Sequence, residues 1–350
     1  MTMTISAGIA GNLSSPARPR AISRWLLAIA ALVFLMVVIG GITRLTESGL
    51  SMVRWEPVSG VVPPLNDAEW QAEFEAYKAY PEYRKVNRGM SLAEFKNIFF
   101  WEYLHRLLGR LIGVAFALPL LWFAWKRAIP KGYGWRLTAL FALGGLQGAI
   151  GWWMVASGLI DRPDVSHLRL ATHLSAALLI LGGLVWTALD LSRLADDPRA
   201  RPARYAASVI PLTILLVLQI LLGAFTAGLN AGFAFNSWPL MGDRWFPENV
   251  PMLAPYWQNL VDNPVVVQFA HRTLAYAVAL AALATAWIAA RRGAGRNAAE
   301  LAGMTLLQFA LGVATIVTGV ELWLGVAHQA GAALLVIAVV GVAHRLGRIR

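Results

Sequence analysis

The 350-residue chain has no cysteine. Disulfides, thiolate metal sites, iron–sulfur clusters and cysteine nucleophiles are therefore excluded. Charge is scarce too: 14% of residues are charged, with 19 acids against 30 bases. A soluble protein of this length could not hide the apolar surface that remains. What is abundant is hydrophobic: 58% of residues, at a mean hydropathy of +0.57. The net charge of +11 does not point to nucleic acid. Its basic residues fall in short clusters between apolar runs, the pattern that orients helices in a bilayer.

The first apolar run, Trp25 to about Ile42, has no small-residue cleavage site after it, so a retained signal anchor is expected. Further runs lie near 104–125, 137–158, 168–189, 206–228, 266–290, 299–320 and 324–343. Each is long enough to cross a hydrocarbon core at about 20 helical residues per crossing. Backbone groups in lipid must be paired internally, so the expected fold is an all-α membrane protein with eight transmembrane helices. More than half of the basic residues lie on one side: Arg18 to Arg24, Lys126 to Arg136, Arg193 to Arg204, Arg291 to Arg296, and Arg345 to Arg350. That side is expected to be cytoplasmic and to hold both termini. The long loop 43–101 and a second at about 229–265 then face the periplasm.

The chain repeats itself. Glu102-Tyr-Leu-His105-Arg106 at the head of the second span matches Gln268-Phe-Ala-His271-Arg272 at the head of the sixth. Leu146-Gln147-Gly148 matches Leu307-Gln308-Phe309, Ala171-Thr172-His173 matches Val326-Ala327-His328, and Gly40-Gly41-Ile42-Thr43 matches Gly223-Ala224-Phe225-Thr226. Four matches in the same order imply two tandem, parallel-related four-helix bundles. The expected organisation is a cytoplasmic tail 1–24, a first bundle 25–190, a linker 191–205, a second bundle 206–345 and a tail 346–350.

Of six histidines, His105, His173, His271 and His328 each lie about one turn inside the same end of an even-numbered span. A single intramembrane histidine is commonly a hydrogen-bonding residue between helices. Four at equivalent depth, two per repeat, read instead as functional. Paired neutral imidazoles are the usual axial ligands of haem iron in helical bundles, whereas no third ligand recurs for a bare zinc or copper ion. Arg106 and Arg272, next to the first histidine of each pair, are candidates for the propionates, with Arg44 and Arg110 weaker ones. The alternative is that they snorkel to the interface. His167 and His344 have no counterpart in the other half and are assigned no function.

The repeat breaks at one position: Glu102 stands three residues before His105, where the second half has Gln268. A carboxylate beside one site can relay protons or stabilise a cation; it can also simply pair with Arg106 one turn on. The asymmetry places chemistry in the first half and a static cofactor in the second.

These motifs, with Arg44-Leu45, Ser48-Gly49-Leu50-Ser51, Trp55-Glu56-Pro57, Gly60, Pro63-Pro64, Phe235-Asn236-Ser237-Trp238-Pro239-Leu240-Met241 and Ala327-His328-Gln329, make the chain resemble the haem A synthases over about residues 25–345. It resembles their cysteine-free class, shared by proteobacteria and mitochondria. The resemblance implies oxidation of a methyl group of haem O to a formyl group by successive hydroxylations, giving haem A for aa3-type cytochrome c oxidase. It implies that His105 and His173, with Arg106, bind haem O beside the catalytic Glu102. It also implies that His271 and His328, with Arg272, hold a resident haem b. Its implied setting is the bacterial inner membrane, with the haem sites near the periplasmic face. The implied partners are a haem O synthase and other oxidase assembly factors, with lipid around the bundle and room for a homo-oligomer.

Two other readings stand beside it. A two-haem electron-transfer protein explains all four histidines but not Glu102 against Gln268. A haem transporter with parallel repeats would place its site near the membrane midplane. Within the 43–101 loop, Glu69, Trp70, Glu73, Phe74, Tyr77 and Tyr80 recur at helical spacing, which predicts an amphipathic helix over Leu65 to Tyr83. Gly144-Gly145, Gly148 and Gly151 suit either the approach of a flat ring or ordinary close packing of helices.

Overall fold

The computed structural model describes residues 17–54, 59–160 and 163–349. Most of the N-terminal tail, Trp55-Glu56-Pro57 and Arg350 lie outside them. Among the described residues there is no strand, only one isolated bridge between Met241 and Arg244. Eight helices among the described residues are long and apolar enough to cross a membrane. They are α1 (Pro19–Leu45), α4 (Leu92–Trp125), α5 (Gly134–Ala156), α6 (His167–Asp196), α7 (Ile210–Gly228), α9 (Pro264–Arg291), α10 (Gly295–Val317) and α11 (Leu322–Leu346). Three short helices lie in the connections: α2 (Asp67–Lys78), α3 (Pro81–Lys85) and α8 (Asn259–Asp262).

Several boundaries differ from expectation, each for a local reason. α1 begins at Pro19, ahead of Trp25, because proline suits the first helical position, where no N–H is needed. α4 begins at Leu92, well before residue 104. Ser91 caps it and Glu94 bonds back to complete a capping box, so the polar lead-in is helix rather than loop. α6 runs on to Asp196, into the expected linker.

The spans share two apolar cores. One lies among α1, α4, α5 and α6, around Leu26, Phe116, Leu137, Leu181 and Leu184. The other lies among α7, α9, α10 and α11, around Leu212, Ala282, Leu301 and Val342. Across them α1 packs on α11, and α6 packs on both α7 and α11. The end of the bundle that carries the histidines is made by the C-termini of α1, α5, α7 and α10 and the N-termini of the other four; it is called the site end below. Small contacts tie the halves there. Gly228 of α7 lies against the backbone of His167, closer than any side chain would allow. The His167 imidazole pairs with Asp262 at 3.2 Å and meets the Phe225 ring edge-on. His167 is thus a joint between halves, not an idle surface residue.

The helix predicted over Leu65 to Tyr83 appears as α2 and α3. Asn66 caps α2 by accepting from the Glu69 N–H. Phe74 and Tyr77 are buried against Phe95 and Phe99 on the extended head of α4, with ring centroids 5.0 Å apart for Phe74 and Phe95. This small aromatic core stands on top of the first half.

Glu82 of α3 is sealed under it, 4% exposed. It is hydrogen-bonded to Tyr77, whose hydroxyl also accepts from Asn87 at 2.7 Å. Burial pushes the Glu82 carboxyl up to about 8, and the charges of Glu102, Glu47 and Asp164 add to the rise against the Tyr77 bond. In the unfolded chain it ionises near its ordinary 4.5. The folded state therefore binds the extra proton, and local stability falls as pH rises from 4.5 to about 8. Hydrogen exchange over residues 67–85 is expected to be faster at pH 8 than at pH 5.5 after correction for intrinsic rates. Glu82→Gln is expected to flatten that difference; an unchanged pH slope in the variant would assign it to another group.

Candidate functional site

All four repeated histidines come to the site end, one on each of α4, α6, α9 and α11. His271 and His328 face each other with ring centroids 6.5 Å apart and planes nearly perpendicular. Two imidazoles sharing one metal ion stand at about this spacing, given metal–nitrogen bonds of about 2 Å plus half a ring on each side. His105 and His173 hold the corresponding places on α4 and α6.

Each imidazole abuts a glycine on the preceding odd-numbered span. A Cβ built on Gly40 would lie 3.1 Å from His105 Cε1, and one on Gly151 3.0 Å from His173 Cε1. The same distances are 3.0 Å for Gly223 and His271, and 2.9 Å for Gly312 and His328. A larger residue at any of these places would have to displace the ring beside it. Of the helix α5 glycines, only Gly151 has this role; Gly144, Gly145 and Gly148 meet nothing within 4 Å. Among the described residues no group of three or more His, Asp or Glu side chains is gathered for a bare metal ion. The donor set is four imidazoles with their ring edges cradled by glycine, one pair of them, His271 and His328, facing each other, which fits an axially ligated porphyrin iron.

Above each pair, a residue one turn before an arginine grips the loop that follows an odd-numbered span. In the first half, Glu102 is 3% exposed. Its Oε2 accepts from Ser51 Oγ at 2.7 Å and from the Met52 N–H at 2.8 Å, and its Oε1 accepts from Arg106 at 2.6 Å. Arg106 also donates to the carbonyls of Met52 and Arg54. In the second half, Gln268 is fully buried and donates to the carbonyls of Gly232 and Phe235. Arg272 donates to the carbonyls of Phe235, Ser237 and Leu240. The first loop offers donors and meets a carboxylate; the second offers acceptors and meets an amide. Both arginines turn inward to loop backbone rather than snorkelling. Arg44 turns across the halves, to Ala227 O and Asn230 Oδ1, both at 2.9 Å.

Sequence reasoning missed three parts of this arrangement: Ser51 and Met52 as partners of Glu102, the glycines facing the rings, and Gln219. Gln219 was visible as the lone amide side chain in an otherwise largely apolar span. Its Nε2 lies 3.1 Å from His271 Nδ1 and donates to the His271 carbonyl at 3.1 Å.

Eight spans among the described residues, with a repeated set of four histidines toward one end, define a multi-pass membrane protein. The cytochrome oxidase assembly protein family (COX15-CtaA) matches residues 23–340, and the chain belongs to it. A haem A synthase from Sphingopyxis alaskensis is 54% identical over 347 residues, 99% of this chain and 98% of the relative. One from Rhizorhabdus wittichii is 58% identical over 331 residues, 95% of each chain. One from Rhodospirillum centenum is 49% identical over 339 residues, 96% of this chain and 91% of the relative.

Proposed function

We propose that the protein converts haem O to haem A, oxidising a porphyrin methyl to a formyl group by successive hydroxylations and loss of water, for aa3-type cytochrome c oxidase. The observation that carries this reading is the inversion at one repeated position. The halves match in their histidines, glycines and arginines, yet Glu102 accepts where Gln268 donates. Near-full-length identity to proteins named haem A synthase supports it. His105 and His173 bind the substrate, with Glu102 the catalytic acid–base that takes and returns protons at its carboxyl oxygens. His271 and His328 hold haem b, which when bound supplies a one-electron redox centre. Arg106 and Arg272 serve the propionates; the Arg272 Nε, buried without a hydrogen-bond partner, is the donor left for one.

In this reading the two halves are duplicated bundles, residues 25–190 and 206–345. The arginine-rich end and both termini face the cytoplasm, and the site end faces the periplasm of the inner membrane. The test is haem extraction and chromatography from aerated cells making haem O, with and without the protein. Haem A is expected only with it, and haem b in the purified protein. Bound haem b without haem A would turn the reading to a two-haem electron-transfer protein.

A further inference from the structure

One match in the repeat joins unlike residues: Leu146-Gln147-Gly148 on α5 answers Leu307-Gln308-Phe309 on α10, so Gly148 stands where the second half has Phe309. Phe309 fills the space between α10 and α9, which pack closely. Its ring centroid lies 5.4 Å from that of Tyr276 on α9 and 6.4 Å from that of Trp238 in the loop above. In the first half the corresponding space is open, for α5 packs along α6 and only lightly on α4. Phe141, Gly144, Gly148 and Gly151 recur at helical spacing and so share one face of α5. That face is pinned at both ends: Phe141 stacks on Phe116 of α4, centroids 5.7 Å apart, and Gly151 abuts the His173 ring. Between them, a Cβ on Gly144 or Gly148 would meet nothing within 4 Å. Phe141 to Leu146 are six consecutive exposed residues, more than a full turn, so every side of α5 is bare there, the inward one included.

We propose that the gap between α4 and α5 is a lateral portal, through which a membrane-borne porphyrin with a long isoprenoid tail enters and leaves the first site, while Phe309 keeps the second site shut to lipid. This rests on the functional reading above and gives its substrate a route.

Glycine inside a helix lowers stability relative to alanine, a loss that close helix packing ordinarily offsets. Gly144 and Gly148 have no neighbour to pack against, so packing does not account for them. A groove does. It runs from Phe141 to Gly151, ten residues or about 15 Å along the axis of α5. Phe116 and Phe141 form its floor, and it ends at His173. The approach from above is covered: Glu102 and Arg106 hold the segment Ser51 to Arg54 there, with the aromatic core of α2 and α4 over it. A porphyrin with an isoprenoid tail partitions into the bilayer, and sideways entry keeps that tail in hydrocarbon throughout. The second bundle lacks such an opening: Phe309 fills its lipid side, and α6 packs on both α7 and α11. A substrate site must release its product; a resident cofactor site must not.

The test uses the full-length protein, purified with its resident porphyrin and placed in lipid vesicles, with haem O in the bilayer as the probe. Entry into the first site is followed by absorbance, so the readout does not depend on conversion. Gly148→Phe introduces the residue of the second half where there is room for its Cβ. It is expected to slow entry by about tenfold or more, because a ring seated in the gap must first be displaced. Gly148→Ala is expected to admit haem O at the wild-type rate. Phe309→Ala is expected to lose the second-site porphyrin faster, by a similar factor, to an excess of a haem-scavenging protein. It should take iron protoporphyrin back with the wild-type spectrum, which shows the fold intact. Should Gly148→Phe lose its second-site porphyrin, Gly144→Phe, one turn lower in the groove, gives the same comparison. Wild-type entry in the phenylalanine variant with its second site filled, or unchanged retention in Phe309→Ala, would overturn the proposal. If the rates respond as expected while cells make no haem A, the functional reading fails and the portal stands.

Discussion

Glu102→Gln is expected to cut haem A formation by about a hundredfold or more while haem b stays bound, the scale of losing a positioned acid–base group. The local geometry makes this variant informative. An amide keeps an oxygen for Ser51 and the Met52 N–H, and Arg106 keeps its bonds to the Met52 and Arg54 carbonyls. What is lost is the charge and the exchangeable proton, with an NH2 now facing the Arg106 guanidinium. The loop stays seated, so a fall in activity reports chemistry. Ser51→Ala is the companion: it removes one hydrogen bond, about 0.5–1.5 kcal/mol, and is expected to lower yield only mildly. Normal haem A from Glu102→Gln would remove the catalytic role. Loss of haem b along with activity would make Glu102 a structural residue coupling the two halves.

The spans and the four histidines were legible because each leaves a one-dimensional mark. Apolar runs of crossing length follow from the need to pair backbone groups in lipid, and the histidines announce themselves by repetition. The head of α4 was also readable, in Ser91 and Glu94, but polar residues before an apolar run look like loop until the capping box is noticed. The role of Glu102 was half visible. Its ion pair to Arg106 lies within one helix turn, whereas Ser51 and Met52 reach it across 50 or so residues. Gly40 and Gly41 show why the rest stayed hidden. The first faces His105, and the second faces Gln329, whose amide reaches the Val37 carbonyl at 2.7 Å. Adjacent glycines thus serve different halves, a distinction that only the packing of α1 between α4 and α11 creates.

Asp190→Ala is the substitution expected to cost most stability. The Asp190 side chain is fully buried at the end of the bundle opposite the histidines. One oxygen accepts from Arg136 of α5 at 2.8 Å. The other accepts from the Ala203 N–H at 2.8 Å, His344 at 3.0 Å and Arg348 at 3.1 Å. One carboxylate thereby joins α5, α6, the 197–206 connection and the end of α11, and so joins the two halves. His344, to which sequence reasoning gave no role, is further fixed edge-on against Trp186, which stacks on Tyr205. Deleting the carboxylate leaves two partly exposed guanidiniums and a buried imidazole facing one another around an emptied, buried place. Breaking a buried pair from one side in this way costs about 3–5 kcal/mol. Arg136→Ala should be milder, because the Arg136 side chain is 24% exposed and Asp190 keeps its other three donors. The check is the temperature at which the detergent-solubilised protein loses its bound porphyrin, with the order Asp190→Ala well below Arg136→Ala, and Arg136→Ala below wild type. Equal loss temperatures for Asp190→Ala and wild type would mean that the halves are held by the α1–α11 and α6–α7 packing alone.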